Sequence, residues 1–257
     1  MSEMNIMKHI KRDICEEHHD EYGGYRDRLR ELFDHKCCYC TLNEGENDFG
    51  YFNIDHFRPK KKFPHLETAY ENLYYACQRC NVYKRDNWIS KAAGCIRNCN
   101  LCENKKCEDI DYLRFIDPCK EDPLEFFLED EDCQILDKAN VLAARYTIEK
   151  LRLNRKQLVN LRFSRRELSM WINAQLDRMQ KCEERLIVAQ RQLNELEDVI
   201  RKFQINGNDD KYIKACILGS TLLKQKVCIY EGRLLEIQED IKKVSDVING
   251  RLKPYEW

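Results

Sequence analysis

Apolar residues in the last third of the chain recur at alternating steps of three and four. One series runs over Ile172–Phe203, a second runs over Ile213–Ile248, and a Gly-Asn-Asp-Asp turn separates them. This seam, which Gln175 and Ser220 interrupt, is typical of packed α-helices. The short turn favours an antiparallel hairpin over about 168–250, with arms that pack on each other rather than in an intermolecular coiled coil.

The first two thirds of the chain mix helical and extended patterns. We predict a helix over 8–35, interrupted or begun by Tyr-Gly-Gly-Tyr, and a short alternating strand over 51–54. A second extended segment over 70–76 leads into a helix over 80–90, and 138–166 reads as a basic helical segment. The sequence therefore predicts an α+β core followed by an all-α extension.

The composition sets limits on the class of protein. The chain has 257 residues, a formal net charge of −1 and 15 cysteines. We find no run of about 18 apolar residues, so we expect no membrane contact, and the start lacks a signal-peptide pattern. We therefore expect a cytoplasmic protein, in which an odd and large number of cysteines points to metal rather than disulfides.

Two Cys-x2-Cys pairs frame the stretch that carries most of the chemistry. Cys37 and Cys40 form the first pair, and Cys77 and Cys80 form the second. Each tight turn presents two sulfurs to one tetrahedral ion, so this spacing predicts a structural zinc site. Cys38 lies inside the first pair and is not needed as a ligand.

A second group of cysteines forms an insertion at about 92–110. The spacing is Cys95-x3-Cys99-x2-Cys102-x4-Cys107. Compact sets of soft ligands usually capture metal, so we favour a second zinc. A loop of reduced thiols and extra partners for the first site are the alternatives.

The residues between the pairs have the chemistry of a hydrolytic centre. His56 is able to take a proton from water near pH 7. Asp55 offers a hard carboxylate oxygen and Asn81 an amide oxygen, and both suit Mg²⁺ or Mn²⁺. The alternative for Asp55 and His56 is a buried structural pair.

The same stretch is locally basic. Between Asp55 and Lys91 there are eight Lys or Arg residues against four acids. We expect phosphate contacts from the cationic side chains nearest to the Asp-His pair, or else a solvated loop. These are Arg58, Lys60, Lys61, Lys62 and Lys84.

Two longer segments carry opposite charge. Residues 103–137 contain thirteen acids and four bases, whereas residues 145–166 contain eight bases and one acid. The acidic block is a solvated loop, a partner contact or a guard against nucleic acid. The basic segment binds phosphates or meets the acidic block.

The order of these features resembles the ββα-metal finger of HNH nucleases. Asp55-His56, Asn72 and Asn81 carry the resemblance, and the two cysteine pairs and Lys84 support it. It implies that Asn72 fixes the loop that carries His56 and that Asp55 and Asn81 hold the catalytic metal. Asn81 stands where many members have histidine, and asparagine at this place is a known variant of the family.

A narrower resemblance covers about residues 25–166. Cys-x-Tyr-Cys, Asp-His-Phe-Arg-Pro-Lys, Cys-x2-Cys-Asn-x2-Lys, Ile-Asp-Pro and Leu-x-Leu-Asn-Arg occur in the order found in HNH proteins of Septu and retron anti-phage systems (PtuB-like). That resemblance implies a nuclease effector acting beside an ATPase of ABC/SMC type (PtuA-like).

We therefore predict a zinc-stabilised HNH domain over 1–137 and an α-helical extension over 138–257. The predicted activity is metal-dependent hydrolysis of DNA or RNA phosphodiester bonds. A stand-alone restriction or homing nuclease is one alternative, and a non-catalytic, zinc-stapled adaptor that binds nucleic acid or a partner is another. The joint presence of Asp55, His56 and Asn81 favours the enzyme.

Overall fold

The computed structural model of the chain describes residues 7, 9–46, 51–88, 113–138, 140–206 and 210–248. Contacts divide the chain into two compact units, Met1–Arg166 and Glu167–Trp257. The cysteine-rich insertion, with its predicted second zinc at Cys95–Cys107, lies outside the described residues. Among the helices that are described, none combines the length and the apolar character needed to cross a membrane.

The first unit mixes short helices with two small sheets. One sheet lies between the cysteine pairs, the helix beside it carries the second pair at its first turn, and the other sheet follows α3. The helices are α1 (Arg26–Leu32), α2 (Gln78–Lys84), α3 (Pro123–Phe126) and α4 (Leu142–Lys150), and the strands are β1 (Phe52–His56), β2 (Leu73–Cys77), β3 (Phe127–Glu129) and β4 (Ile135–Asp137). The start of α5 (Lys156–Asn206) completes the unit, and α6 (Asp210–Ile248) belongs to the second.

The sheet of β1 and β2 places the candidate site. The strands are antiparallel, with Phe52 opposite Cys77 and His56 opposite Leu73. Every residue of β2 is buried, and α2 begins directly after the strand and packs against both strands. The end of β1 therefore lies beside the helix that contains Cys80 and Asn81.

The prediction of a helix over 8–35 is wrong for its first half. Residues 9–19 have no regular structure, a 3-10 turn spans Tyr22–Tyr25, and only α1 is helical. The guanidinium of Arg12 donates to the carbonyls of Tyr70 (3.1 Å) and Leu73 (2.6 Å). These bonds hold the segment as an irregular strap on the core, because a long-range contact outweighs weak helical propensity.

The helix predicted over 80–90 is shorter and starts earlier. It spans Gln78–Lys84, so the second cysteine pair lies at its first turn. Arg85 has a φ of 49°, which is outside the range of a right-handed helix and ends α2 at Lys84.

Residues 138–166 belong to the first compact unit, whereas the sequence pattern predicts that the first domain ends at 137. Asn154 bonds both the N–H (2.7 Å) and the carbonyl (2.9 Å) of Ile135 in β4. Arg166 forms an ion pair with Glu129 at 2.6 Å. Part of the basic segment thus meets the acidic block, and the compact unit defined by contacts extends to Arg166.

The described part of the second unit consists of the remainder of α5 and of α6. The Sγ of Cys182 lies 3.6 Å from the carbonyl of Tyr230, and Lys224 forms an ion pair with Glu197 at 2.8 Å. Cys182 precedes Glu197 along α5, whereas its partner Tyr230 follows Lys224 along α6, so the two helices contact each other in antiparallel order. The buried Ser220, one of the two polar breaks in the seam, donates to the Ile217 carbonyl at 2.9 Å.

Candidate metal and catalytic centre

The two cysteine pairs come together as one buried cluster. The four Sγ atoms of Cys37, Cys40, Cys77 and Cys80 all lie within 4.8 Å of one another, and those of Cys40 and Cys77 are 3.7 Å apart. A tetrahedron with Zn–S bonds of about 2.3 Å separates its sulfurs by about 3.8 Å. The cluster therefore fits a zinc ion, and Cys38 is not part of it.

Local backbone geometry explains how the cluster forms. The first pair lies in a turn closed by a bond from the Thr41 N–H to the Cys37 carbonyl at 2.9 Å, and Thr41 takes a φ of 58°. The Cys38 N–H donates to the Tyr75 carbonyl at 2.9 Å, which ties this turn to β2. The second pair spans the junction of β2 and α2.

A cation lies against the sulfur cluster. The guanidinium of Arg155 is 3.6 Å from the Sγ of Cys40 and 3.8 Å from that of Cys80. Burial raises the pKa of the Cys40 thiol, but hydrogen bonds from the other three thiols and the charge of Arg155 lower it well below its usual value. Arg155 therefore favours the thiolate form that binds zinc.

Asp55 is buried at the end of β1 and is held by two donors. The Tyr39 hydroxyl donates to Oδ2 at 2.6 Å. The Lys84 ammonium lies 3.0 Å from Oδ2 and 3.2 Å from Oδ1, and it also donates to the His56 carbonyl at 2.7 Å. Lys84 thereby joins α2 to the end of β1.

The ring of His56 is fixed by a backbone carbonyl. Its Nε2 lies 2.8 Å from the Glu67 carbonyl oxygen, and the ring of Tyr22 packs edge-on against it with centroids 4.8 Å apart. A carbonyl only accepts, so Nε2 carries the proton and Nδ1 remains an acceptor. Burial lowers the pKa of His56 below its usual value.

Asn72 ties down the loop that follows β1. Its Oδ1 accepts from the Arg58 N–H at 2.8 Å, and its Nδ2 donates to the carbonyls of Arg58 (3.0 Å) and Leu66 (3.1 Å). The bond between His56 and Glu67 lies in this same loop. Asn72 therefore connects the Arg58 end of this loop to Leu66.

Asn81 is half-buried in the first turns of α2, and its side chain makes no hydrogen bond to another described residue. The four cysteines are the one group of three or more Cys, His, Asp or Glu side chains, among the described residues, that lie close enough to hold an ion.

The predicted phosphate contacts separate into buried and exposed side chains. Lys84 has no exposed surface, so it cannot contact a phosphate in this structure, and Arg58 is buried against the rings of Phe63 and Trp88. The other three lie at the surface or half-buried, each with a partner. These are Lys60 with Glu67 (2.8 Å), Lys61 with Asp86 (3.5 Å) and Lys62 with the Trp88 carbonyl (3.0 Å).

Sequence reasoning missed Tyr39, Tyr22 and Arg155. Tyr39 and Arg155 lie inside motifs that were noticed, Cys-x-Tyr-Cys and Leu-x-Leu-Asn-Arg, but their partners are 16 and more than 70 residues away. No local pattern in the sequence indicated the contact between Tyr22 and His56.

Comparison with known proteins gives the family of the domain in which these residues lie. Residues 37–87 match the family model for HNH endonuclease, which covers 51 of the 257 residues. The chain therefore contains an HNH endonuclease domain, and this domain spans both cysteine pairs. HNH endonucleases are metal-dependent nucleases.

Curated relatives give a more particular likeness. The chain is 28% identical over 161 residues to Septu protein PtuB of Bacillus mycoides (strain KBAB4), which covers 55% of this chain and 52% of that protein. It is 38% identical over 56 residues to Septu protein PtuB of Bacillus thuringiensis, 22% of this chain and 21% of that one. The match thus spans about half the length of the first relative and a fifth of the second. No solved structure matches the chain.

Proposed function

We propose that this chain is an endonuclease that hydrolyses nucleic-acid phosphodiester bonds, with His56 as its general base. The observation that carries the proposal is the bond from His56 Nε2 to the Glu67 carbonyl, beside the buried Asp55. It leaves Nδ1 as the nitrogen that accepts a proton from the attacking water. The lowered pKa of His56, caused by burial, keeps the ring neutral and ready to act near pH 7.

Asp55 and Asn81 are the residues that we propose to hold Mg²⁺ or Mn²⁺. The order of two antiparallel strands followed by α2 supports a ββα-metal arrangement, because it brings the end of β1 next to the helix that bears Asn81. A carboxylate and an amide oxygen are suitable ligands for either cation. The bound cation would stabilise negative charge on the phosphate and on the leaving oxygen.

The remaining residues of the site position the base and the substrate. Asn72 holds the loop that fixes His56. Lys60, Lys61 and Lys62 are proposed to contact phosphates, and the local excess of basic residues supports that role. The ion pairs of Lys60 and Lys61 are exposed, so exchanging a carboxylate for a phosphate costs little. Arg58, being buried, acts at most through the loop.

We further propose that this nuclease is the effector of an anti-phage defence system. The similarity to proteins named Septu protein PtuB supports this assignment. By the same resemblance we propose an ATPase of ABC/SMC type (PtuA-like) as its partner, and a cytoplasmic location. The link to retron systems rests on motif order alone.

A cleavage assay tests the proposal directly. Zinc-loaded full chain is incubated with plasmid DNA or total tRNA in Mg²⁺, Mn²⁺ or EDTA, alone and with any ATPase that co-purifies. His56→Ala should lower the rate about 10²- to 10⁴-fold, because the water loses its base. The matched control is His65→Ala, an exposed histidine of the same loop.

Each outcome has a defined meaning. Loss of cleavage in His56→Ala alone, with zinc content and circular dichroism unchanged, supports the enzyme, and the degraded pool identifies its substrate. Equal cleavage by both variants and wild type would overturn the role of His56. Full activity without any ATPase favours a stand-alone nuclease, and nucleic-acid binding without cleavage under every condition favours the adaptor.

A further inference from the structure

One hydroxyl connects the sulfur cluster to the candidate catalytic carboxylate. Tyr39 lies between Cys37 and Cys40, its ring is 1% exposed, and its hydroxyl donates to Asp55 Oδ2 at 2.6 Å. Lys84, one helical turn after Cys80, lies 3.0 Å from the same oxygen. Each cysteine pair therefore brings one donor to Asp55.

The hydrogen bonds leave a defined part of Asp55 available. An ionised carboxylate offers about four lone-pair positions. Oδ2 receives both Tyr39 and Lys84, whereas Oδ1 receives only the longer contact from Lys84, at 3.2 Å. One position on Oδ1 is thus without a protein donor among the described residues. An ionised carboxylate only accepts, so the Tyr39 hydroxyl is the donor in this hydrogen bond.

We propose that Tyr39 is a positioning residue for the divalent-metal site, and that it holds the Asp55 carboxylate so that Oδ1 faces the ion. This inference rests on the proposed function, in which Asp55 is a ligand. The torsion that rotates a carboxylate is broad, and Lys84, which contacts both oxygens at 3.0 and 3.2 Å, does not by itself decide which of them is left for an ion. A second, neutral donor fixes the plane without adding a charge that would repel the cation.

The position of Tyr39 makes the sulfur cluster part of this arrangement. The turn that carries the ring is held at both ends by cysteines of the cluster, and zinc bound there would fix the distance from the turn to β1. Groups that orient metal ligands in this way typically contribute 10- to 100-fold to metal affinity or activity. The zinc site therefore contributes to the catalytic centre through a specific hydrogen bond, beyond its contribution to folding.

Mn²⁺ binding to the zinc-loaded full chain, measured by isothermal titration calorimetry and electron paramagnetic resonance, tests the inference without an activity readout. Tyr39→Phe removes one oxygen and should weaken binding about 10-fold or more. The matched control is Tyr75→Phe, which removes another hydroxyl bonded to a carboxylate, that of Glu44, and should bind as wild type does. Asp55→Asn should bind weakest, and adding Tyr39→Phe to it should cause no further loss.

The outcomes separate this inference from the function on which it rests. Wild-type affinity in Tyr39→Phe, with Asp55→Asn defective, would overturn the role of Tyr39 and leave the metal site standing. Unchanged binding in Asp55→Asn would overturn both. If the Tyr39→Phe protein does not retain zinc, a variant with p-aminophenylalanine at residue 39 is tested instead. Its weaker N–H donor predicts an affinity between wild type and Asp55→Asn, and wild-type affinity there would overturn the inference.

Discussion

The Lys84 ammonium has no exposed surface, and all of its described hydrogen-bond partners lie in one place, the end of β1. The rings of Phe57 and Phe115 flank it, with centroids 5.8 Å from Nζ. In such a setting the ion pair with Asp55 is poorly screened by water. Its removal leaves a buried carboxylate with one neutral donor, which is costly.

We therefore expect Lys84→Met to lower the free energy of unfolding by about 3 kcal/mol or more, since breaking a buried pair from one side typically costs 3–5 kcal/mol. Urea unfolding of zinc-loaded protein measures the change. The matched control is Lys61→Met, whose ion pair with Asp86 is exposed and which should unfold as wild type does. Equal midpoints for both variants would show that the Asp55 carboxylate does not depend on Lys84.

The site residues divide by how far away their partners lie in the sequence. The sequence predicts the roles of Asp55, His56 and the four cysteines because these residues form motifs of a few adjacent positions. Lys84 was also identified, but with the wrong contact, because the sequence does not reveal whether a lysine after a cysteine pair faces solvent or the core. Nothing in the local sequence distinguishes Tyr39 from a tyrosine of the hydrophobic core. Its contact with Asp55 arises only when β1 pairs with β2 in antiparallel order.

The junction between α4 and α5 supports the sulfur cluster from outside. Leu151 and Leu153 are buried, Asn154 bonds β4, and Arg155 reaches the sulfurs of Cys40 and Cys80. A zinc ion with four thiolates carries a net charge of −2, so a nearby guanidinium stabilises the loaded site. The Leu-x-Leu-Asn-Arg motif therefore has a physical role in this fold.

Arg155→Met should release zinc about 10-fold faster to a chelator than wild type, because the thiolates lose their buried cation. The rate is followed with a coloured zinc chelator in excess. Arg152→Met is the matched control, since that guanidinium lies over the Tyr83 ring, 4.9 Å from its centroid, and has no described contact with a sulfur of the cluster. Identical release from both variants would mean that Arg155 acts only as a packing residue.

Secondary structure was predicted well where a pattern is long or sharply bounded. The heptad-like seam predicted helices that the structure has as α5 and α6, and the strand ending near Asp55 is β1. The segment before Tyr22 failed because its conformation is set by Arg12, whose bonds to β2 carbonyls lie about 60 residues away. The assignment of α5 and α6 as a coiled coil, and the ββα-metal arrangement, stay predictions.

Charge is distributed so that opposite blocks neutralise each other inside the first unit. Arg166 pairs with Glu129, Arg145 with Asp137, and Arg114 with Glu121. The first two pairs join the acidic block (103–137) to the basic segment (145–166), and the third lies within the acidic block, so neither segment is wholly available to a partner. After the buried Arg58, the lysines that follow Pro59 are the basic residues nearest to His56 in sequence, and the side chain of Lys61 is the most exposed of them.

Nucleic-acid binding by this nearly neutral chain should thus depend on a few phosphate contacts. For His56→Ala protein and a 30-base-pair duplex or tRNA, Lys61→Gln should weaken binding and reduce the slope of log affinity against log salt by about 0.7 to 0.9, the value of one lost contact. Fluorescence anisotropy at several salt concentrations measures the slope. Lys181→Gln in the second unit, where the lysine pairs with Asp177 along α5, is the matched control and should keep the parent slope. Equal slopes for the parent and both lysine variants would place the phosphate contacts elsewhere. A direct contact releases a counterion at that residue, whereas a screened long-range field does not distinguish one exposed lysine from another.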